Sequence, residues 1–243
     1  VTYSDNHTDE IKFTKIMKAG DINNGETFGL LKDVNGNNIS YSDGSAYICD
    51  GANGNAAGSG LDHVSLLQKD GKLHMVAQFE CAVGAMYGFE LEQAADGTLS
   101  AKADTMKFID QKDDFGGWVH CAGMTTPWNS HLGSEEYPAD ARHMNMANYD
   151  ADKGYIDAGY GEGDYFNVNA KYYWGNDFSK TNAYYYGYIP EVKVENGEYV
   201  YTKHFSMGRA AWEMAYVMHD EKSAYLTDDG TNVGLYMYIA DKG

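Results

Sequence analysis

Basic residues are scarce in this chain of 243 residues, which has 18 Lys plus Arg against 36 Asp plus Glu and a formal net charge of −18. This shortage argues against non-specific nucleic-acid binding, because contacts with phosphates depend on Lys and Arg. It argues in the same way against anionic membrane surfaces. The excess of carboxylates can simply keep the protein soluble, or some of the carboxylates can bind cations.

Long apolar runs are missing as well. No run of about 18 apolar residues occurs, so we expect no membrane-spanning helix. The sequence does not start with a basic segment followed by an apolar one, so we expect that a signal peptide was removed or never present. The HExxH, GxSxG and Walker A motifs are also absent, which argues against the zinc proteases, the α/β-hydrolases and the P-loop proteins.

Cysteine is rare, with Cys49, Cys81 and Cys121 as the only three. They form no Cys-x-x-Cys pair, which argues against zinc ribbons and thioredoxin-like motifs. Cys49 and Cys81 could form a disulfide in an oxidising compartment. That pairing would leave Cys121 free to react or to bind a metal.

Turn residues and strand formers dominate what is present. There are 21 Tyr and 28 Gly against 3 Pro, and hydrophobic residues make up 43% of the chain. Asn-Gly and Asp-Gly pairs supply the positive φ of tight hairpins. They predict hairpins between strands 64–67 and 73–79, 184–194 and 199–205, and 223–227 and 233–240. Short strands with frequent turns predict a single all-β domain over residues 1–243, a sandwich, barrel or propeller.

Two stretches, 139–147 and 209–218, are rich in helix formers, and propensity alone leaves them open between helix and strand. The glycines around Gly161 look like a nucleotide-binding loop. No helix-forming run follows them, so we expect no dinucleotide fingerprint there.

The segment 118–137 is the densest in chemically active side chains. It holds Cys121 and the adjacent carboxylates Glu135 and Glu136. A thiolate beside a carboxylate suits a transition metal such as iron or zinc. On a strand the two glutamates would point to opposite faces, so only one would face a given site. The composition is equally compatible with a surface loop that has one buried cysteine.

Two further candidates lie among apolar residues. Arg209 and Glu213 occur four residues apart between Ala, Trp and Met, where a charge is costly to bury unless it is paired or metal-bound. A salt bridge on a helix would explain the same spacing. Glu80 ends an apolar strand, where it is either solvated or a ligand at the mouth of a barrel or propeller.

The segment 121–128, Cys-Ala-Gly-Met-Thr-Thr-Pro-Trp, followed by Ser134-Glu135-Glu136, resembles a signature of the PhoX-type alkaline phosphatases. That signature reads approximately CAGG-x-TPWGTWL-x-CEE. Three downstream segments resemble further family elements in the same order: 186–192, 208–213 and 227–238. With the strand that ends at Glu80, the resemblance covers roughly residues 61–240.

The resemblance implies a β-propeller enzyme of the periplasm or the cell exterior that hydrolyses phosphate monoesters with an iron and calcium cluster. The iron-binding Cys of the family matches Cys121, and the glutamates of its CEE and HE elements match Glu136 and Glu213. Glu80 matches the end of its NHE strand. Arg209 could help to bind phosphate or pair with Glu213.

The chain also departs from the family pattern. Ser134 replaces the Cys of CEE, and Trp212 replaces the His before Glu213. Gln78-Phe79 replaces Asn-His, and Asn129-Ser130-His131 replaces Gly-Thr-Trp. The family's chains are much longer, so the sequence resembles a portion of a propeller or a shortened one. A partial propeller exposes a sheet edge unless another chain covers it.

Three functions therefore remain, and the phosphatase is the leading one. The first is a secreted, metal-dependent phosphatase that acts on small phosphate esters. The second is a non-catalytic secreted β-protein that binds calcium and serves as a surface, matrix or filament component. The third is a propeller hydrolase that acts on another ester, such as a lactone. The departures from the family motifs favour the second, and the order of the motifs favours the first.

Overall fold

The computed structural model describes residues 2–8, 10, 12–51, 58–142, 144, 149–150, 154–155 and 162–241. These residues form antiparallel sheets and one α-helix. The strands are β1 Ile22–Asn23, β2 Glu26–Thr27, β3 Gly58–Lys69, β4 Lys72–Cys81, β5 Ala85–Gln93, β6 Leu99–Ala101, β7 Lys107–Phe108, β8 Met124–Thr125, β9 His131–Leu132, β10 Tyr149–Asp150, β11 Gly154–Tyr155, β12 Ile189–Glu195, β13 Glu198–His204, β14 Trp212–Val217, β15 Ser223–Asp228 and β16 Leu235–Ile239. The helix α1 spans Glu162–Tyr172, and 3₁₀-helices span Lys112–Asp114, Ala183–Tyr185 and Phe205–Met207.

Three sheets carry most of the structure. The largest has the order β3-β4-β5-β6, with β7 paired to β5. The second has the order β13-β12-β9-β8, and the third has the order β14-β15-β16. The pairs β1-β2 and β10-β11 form two small ribbons.

The three expected hairpins are confirmed. Strands β3 and β4 join at Asp70-Gly71, and β12 and β13 join at Asn196-Gly197, with positive φ at all four residues. This is the geometry that two-residue hairpin turns require. The third hairpin is β15-β16. The second hairpin begins at Ile189 rather than at residue 184, because Ala183–Tyr185 form a 3₁₀-helix.

The segment 209–218 contains strand β14, although its composition also suits a helix. Ala215 and Val217 are buried while Tyr216 between them is exposed, the alternation of a strand with one covered face. Residues 139–142 and 144 are not helical, and the rest of the stretch 139–147 lies outside the described residues.

The prediction that no helix follows Gly161 is wrong, because α1 begins at Glu162. Its sequence contains few strong helix formers. Phe166, Asn169, Ala170 and Tyr173 are all buried, at a spacing that places them on one face. Tertiary packing therefore stabilises this helix beyond its propensity. The strand pairs described here are all antiparallel, so the nucleotide-binding βαβ context is absent from this part of the chain.

The main core lies between the β3-β4-β5 sheet and the loops of residues 28–49. Phe79, Tyr87 and Phe89 pack edge-to-face on Phe28. A disulfide joins Cys49 to Cys81 and ties these loops to the end of β4. The described structure is thus mostly β with one α-helix, but no sheet in the described residues closes on itself and a propeller is not shown.

Strand β16 lies at the edge of the third sheet and pairs only with β15 in the described chain. Leu235 is 69% exposed, and Met237 and Ile239 are each 56% exposed. The expected open sheet edge is therefore present, whereas its cover by another chain stays a prediction. Among the described residues no helix has the length and apolar character that crossing a membrane requires.

Candidate metal centre

A cluster of acidic side chains around one cysteine, called the acidic pocket below, lies where the three large sheets meet. Asp62 on β3, Glu80 on β4 and Glu213 on β14 contribute from strands. Cys121 lies in the loop between β7 and β8, and Glu136 lies in the loop after β9. The site therefore depends on how two loops are held against the sheets.

Main-chain hydrogen bonds bring these loops together. The amide of Glu136 donates to Val119 O at 3.0 Å, and the amide of Trp212 donates to Glu135 O at 3.0 Å. The amide of Val119 donates to Cys81 O at 2.8 Å. The segment around Glu136 thus joins the loop of Cys121 to the strand of Glu213, and the same loop is bonded to the end of β4.

Cys121 belongs to two groups of possible metal ligands. Its Sγ and carboxylate oxygens of Asp62 and Glu80 all lie within 4.8 Å of one another. The same limit holds for its Sγ with Glu136 and Glu213. The thiol also donates a hydrogen bond to Glu213 Oε2 at 3.3 Å. The structure therefore brings together Cys121, Glu136, Glu213 and Glu80, four residues that the sequence singles out.

Burial and repulsion between like charges make this pocket hold protons. Burial raises the pKa of the Cys121 thiol, and the carboxylates of Glu136, Asp62 and Glu213 raise it further. Burial also raises the pKa of Glu136 to about 8, and its hydrogen bond with Asp229 adds to that rise. These shifts show that the pocket disfavours its fully ionised form when no cation is bound.

The same effect reaches the mouth of the pocket. Burial raises the pKa of Glu80, and it raises the pKa of Asp62 with a contribution from Glu213. In the part of the chain that the structure describes, no ion pair with Lys or Arg neutralises these carboxylates; Lys203 pairs with Glu135 instead. A multivalent cation would supply that neutralisation, and carboxylates with a thiolate are ligands that such cations accept. The donor set therefore fits a metal centre.

The adjacent glutamates point to different places, as a strand-like backbone predicts. Glu135 is fully buried, pairs with Lys203 Nζ at 2.9 Å and accepts a hydrogen bond from the Gly187 amide at 2.9 Å. Glu136 faces the pocket, and its carbonyl accepts from Trp118 Nε1 at 2.8 Å. Only Glu136 is thus available to a metal.

Arg209 makes its described hydrogen bonds away from the acidic pocket. Its Nε donates to Tyr186 O at 2.8 Å, and its Nη2 donates to Ala139 O at 2.7 Å and to Ala183 O at 2.9 Å. The guanidinium also lies over the ring of Tyr184 at 5.5 Å. These bonds join main-chain segments, so the role of Arg209 in phosphate binding stays a prediction. Because Arg209 precedes β14, a helical salt bridge with Glu213 is wrong.

Two acidic residues near Cys121 and Glu136 are not predicted as ligands from the sequence. Asp62 lies at an irregularity between Leu61 and Val64, where the register of β3 against β4 shifts. The predicted hairpin begins only at Val64. Extending its first strand backwards, so that it pairs with β4 as far as Glu80, would have placed Asp62 near Glu80. Asp229 accepts a hydrogen bond from the Tyr137 hydroxyl beside Glu136. The adjacent acidic residues Asp228 and Asp229 in the third hairpin could have indicated this position.

Residues that depart from the family motif also have defined contacts. Ser134 Oγ lies 2.8 Å from both Ala122 O and Glu213 O, so one hydroxyl bridges the main chains beside Cys121 and Glu213. Trp212 is 4% exposed and donates to Gly208 O at 3.0 Å.

A family model described as "Alkaline phosphatase PhoX" matches residues 6–243. The matched span contains every residue of the acidic pocket. Searches of curated proteins and of solved structures return no match.

Proposed function

The chain belongs to the PhoX family of alkaline phosphatases, and on that premise we propose that it is a secreted phosphatase that hydrolyses phosphate monoesters at the acidic pocket around Cys121. One observation carries the proposal: the thiol of Cys121 is within 4.8 Å of ligand oxygens from both carboxylate pairs. In the part of the chain that the structure describes, these carboxylates have no Lys or Arg partner, so packing alone does not explain a buried thiol among them.

We assign iron to the group of Cys121, Glu136 and Glu213, because thiolates bind transition metals. We assign calcium to the side of Glu80 and Asp62, because calcium prefers oxygen ligands and Asp62 is exposed at the mouth. The chemistry that such cations supply when bound is positive charge, which binds phosphate oxygens and stabilises the charge that develops in the transition state.

The chain's own residues explain why the activity would depend on metals. A pocket lined by several carboxylates repels a phosphate monoester, which is itself an anion. The Cys121 thiol donates to Glu213 Oε2 at 3.3 Å. Thiols and carboxylates bind metals in their deprotonated forms, so loading the site would release this proton to the solvent. We therefore expect cations to bind to these carboxylates before the phosphate monoester can bind.

The Cys49–Cys81 disulfide supports a periplasmic or extracellular location, because such bonds persist in oxidising compartments. It also leaves Cys121 as the free thiol. Small phosphate esters are then the expected substrates, and neither nucleic acid nor membrane insertion enters this proposal.

The test is the variant Cys121→Ala, assayed with 4-nitrophenyl phosphate and analysed for bound iron. We expect a folded protein with its iron lost and its kcat/KM lowered by more than about 100-fold, because a direct ligand matters more than the outer partners of a metal. A matched control is Glu198→Gln, which removes an exposed carboxylate that pairs with Lys107 outside the pocket. Unchanged iron content in Cys121→Ala would refute the assignment.

The open edge of β16 favours a second function, a calcium-binding surface or matrix protein without catalysis. Leu235, Met237 and Ile239 are more than half exposed on this edge. For that function, removal of calcium should lower the melting temperature while no turnover of 4-nitrophenyl phosphate is detected at any pH. Turnover that requires both calcium and Cys121 excludes it.

A further inference from the structure

A buried glutamine contacts the main chain that carries Cys121. Gln78 on β4 is fully buried, and its Nε2 donates to Cys121 O and lies 3.4 Å from Ala122 O. Residues 118–123 belong to no strand, so a sheet ladder does not fix their conformation. Side-chain hydrogen bonds such as those from Gln78 must therefore help to hold this segment.

The other end of the Gln78 amide is held as well. Gln78 Oε1 lies 2.8 Å from His131 Nε2, and His131 Nδ1 lies 2.9 Å from Ser65 Oγ. Both His131 and Ser65 are buried. Ser65 Oγ in turn lies 3.3 Å from Nε2 of His63, whose ring stacks on that of His131 at 5.5 Å.

Gln78, His131 and Ser65 form a row of hydrogen bonds that begins at the carbonyl oxygens of Cys121 and Ala122. These carbonyl oxygens fix the direction of every bond in the row. Carbonyls only accept, so Nε2 of Gln78 faces Cys121 and Oε1 must accept from His131. His131 Nε2 therefore carries the proton, and its Nδ1 accepts from the hydroxyl of Ser65. Burial lowers the pKa of His131 well below its ordinary value, which agrees with a neutral ring that both donates and accepts. Bonds aligned in this way strengthen one another.

Two glycines leave the space that the row occupies. A Cβ on Gly133 would lie 2.2 Å from Gln78 Oε1, and a Cβ on Gly123 would lie 2.4 Å from Leu132 O and 2.8 Å from His63 Cδ2. Real Cβ atoms do not approach so closely, so any other residue at position 133 would displace the glutamine, and at position 123 it would displace the main chain of Leu132 and the ring of His63. The surroundings of Gln78 are thus shaped around its amide.

We propose that Gln78, oriented by His131, is a positioning residue that holds the main chain of Cys121 so that its thiol sits between the two carboxylate groups. Gln78 does not itself face the substrate, and it acts through Cys121. The consequence for a bound metal rests on the proposed function, whereas the consequence for the thiol does not.

The test compares Gln78→Met, which keeps the size of the side chain but removes both hydrogen-bonding ends, with His131→Phe, which keeps a ring but no longer orients Gln78. The first readout is the rate at which iodoacetamide modifies Cys121 in the metal-free protein, because Cys121 is the free thiol. We expect a rise of about tenfold in Gln78→Met and a smaller rise in His131→Phe. The second readout is the thiolate-to-metal charge-transfer absorption after addition of Co²⁺, which we expect to weaken in the same order.

The matched control is Asn169→Leu. Asn169 is also a fully buried amide that donates to a main-chain carbonyl, that of Ala82 at 3.3 Å, and accepts from the hydroxyl of Tyr186 at 2.9 Å. It should lower the melting temperature without changing the labelling rate of Cys121 or the Co²⁺ absorption. A general loss of stability would instead move the control together with Gln78→Met.

The outcomes separate the two proposals. A Gln78→Met protein with the labelling rate of the wild type overturns the positioning role, whatever the metal does. If wild-type protein shows no thiolate absorption with Co²⁺ or iron, the proposed metal centre fails. The labelling rate then decides the role of Gln78 alone, with a rise supporting it and no rise overturning it.

Discussion

Glu135 and Glu136 are neighbours in the chain and both are buried, yet the groups that surround their carboxylates differ in charge. Glu135 has a cation of the protein beside it, the fully buried Lys203, whose Nζ also donates to Gly116 O at 2.8 Å and Tyr185 O at 3.0 Å. Glu136 has a thiol and other carboxylates beside it. The ion pair of Glu135 with Lys203 stabilises the fold. Glu136 has no such partner among the described residues, and we propose that a bound metal ion neutralises it instead.

The largest expected effect is a difference in the free energy of unfolding between variants of the two glutamates. Glu135→Gln leaves Lys203 buried without its counter-charge, so we expect a loss of about 3–5 kcal/mol in the free energy of unfolding. Glu136→Gln removes a repelling carboxylate, so the metal-free protein should be no less stable than the wild type. Denaturant unfolding of both variants checks this, and a comparable loss in the two would remove the distinction.

A second prediction concerns the effect of calcium on stability. Calcium at about 100 times its dissociation constant should stabilise the wild type by about 2.7 kcal/mol, because it binds only the folded pocket. Glu80→Gln should lose most of this gain, because Glu80 belongs to the group that we assign to calcium. Glu90→Gln serves as the control, since Glu90 pairs with Lys72 and Lys102 at the surface. Equal calcium stabilisation in all three proteins would place the calcium site elsewhere.

The smallest effect is a pH dependence of the metal-free protein. The pKa of Glu136 is raised to about 8, so the folded state binds its proton more tightly than the unfolded state does. Its contribution to stability is present below its ordinary value near 4.5 and is lost as the pH rises through about 8. The difference in stability between wild type and Glu136→Gln should therefore shift against the wild type by at most about 1.4 kcal/mol per pH unit.

Measuring a difference is necessary because buried histidines act in the opposite direction. Burial lowers the pKa of His131 and of His120, so their contributions are lost as the pH falls below about 6.5. Both residues are present in both proteins, so their effect cancels. A difference that stays constant between pH 5 and pH 8 would contradict the prediction.

Local chemistry made part of this molecule readable from its sequence. Asp70-Gly71 and Asn196-Gly197 mark hairpins because only certain residues tolerate their backbone angles. Cys121 and Glu213 stand out because a polar group among apolar residues needs a reason. These signals act over a few residues, which is why they survive without a structure.

Other parts depend on contacts that no local pattern carries. Asp62 reaches the pocket through an irregularity in β3, and Gln78 reaches Cys121 across 43 residues of sequence. Helix α1 forms because Phe166 and Ala170 find a core, not because its residues favour a helix. The propeller implied by the family is likewise a matter of how sheets are arranged, and the described sheets leave it a prediction.

The disulfide Cys49–Cys81 bears on how the protein must be produced. Cys81 directly follows Glu80, and its carbonyl accepts from Val119 two residues before Cys121. The bond closes a loop with a sequence separation of 32, which restricts the unfolded chain by roughly 3–4 kcal/mol. Protein made in a reducing cytoplasm would lack this tether next to Glu80 and Cys121, two of the proposed metal ligands. Preparations from oxidising and reducing hosts would therefore differ in metal uptake although their sequences are identical.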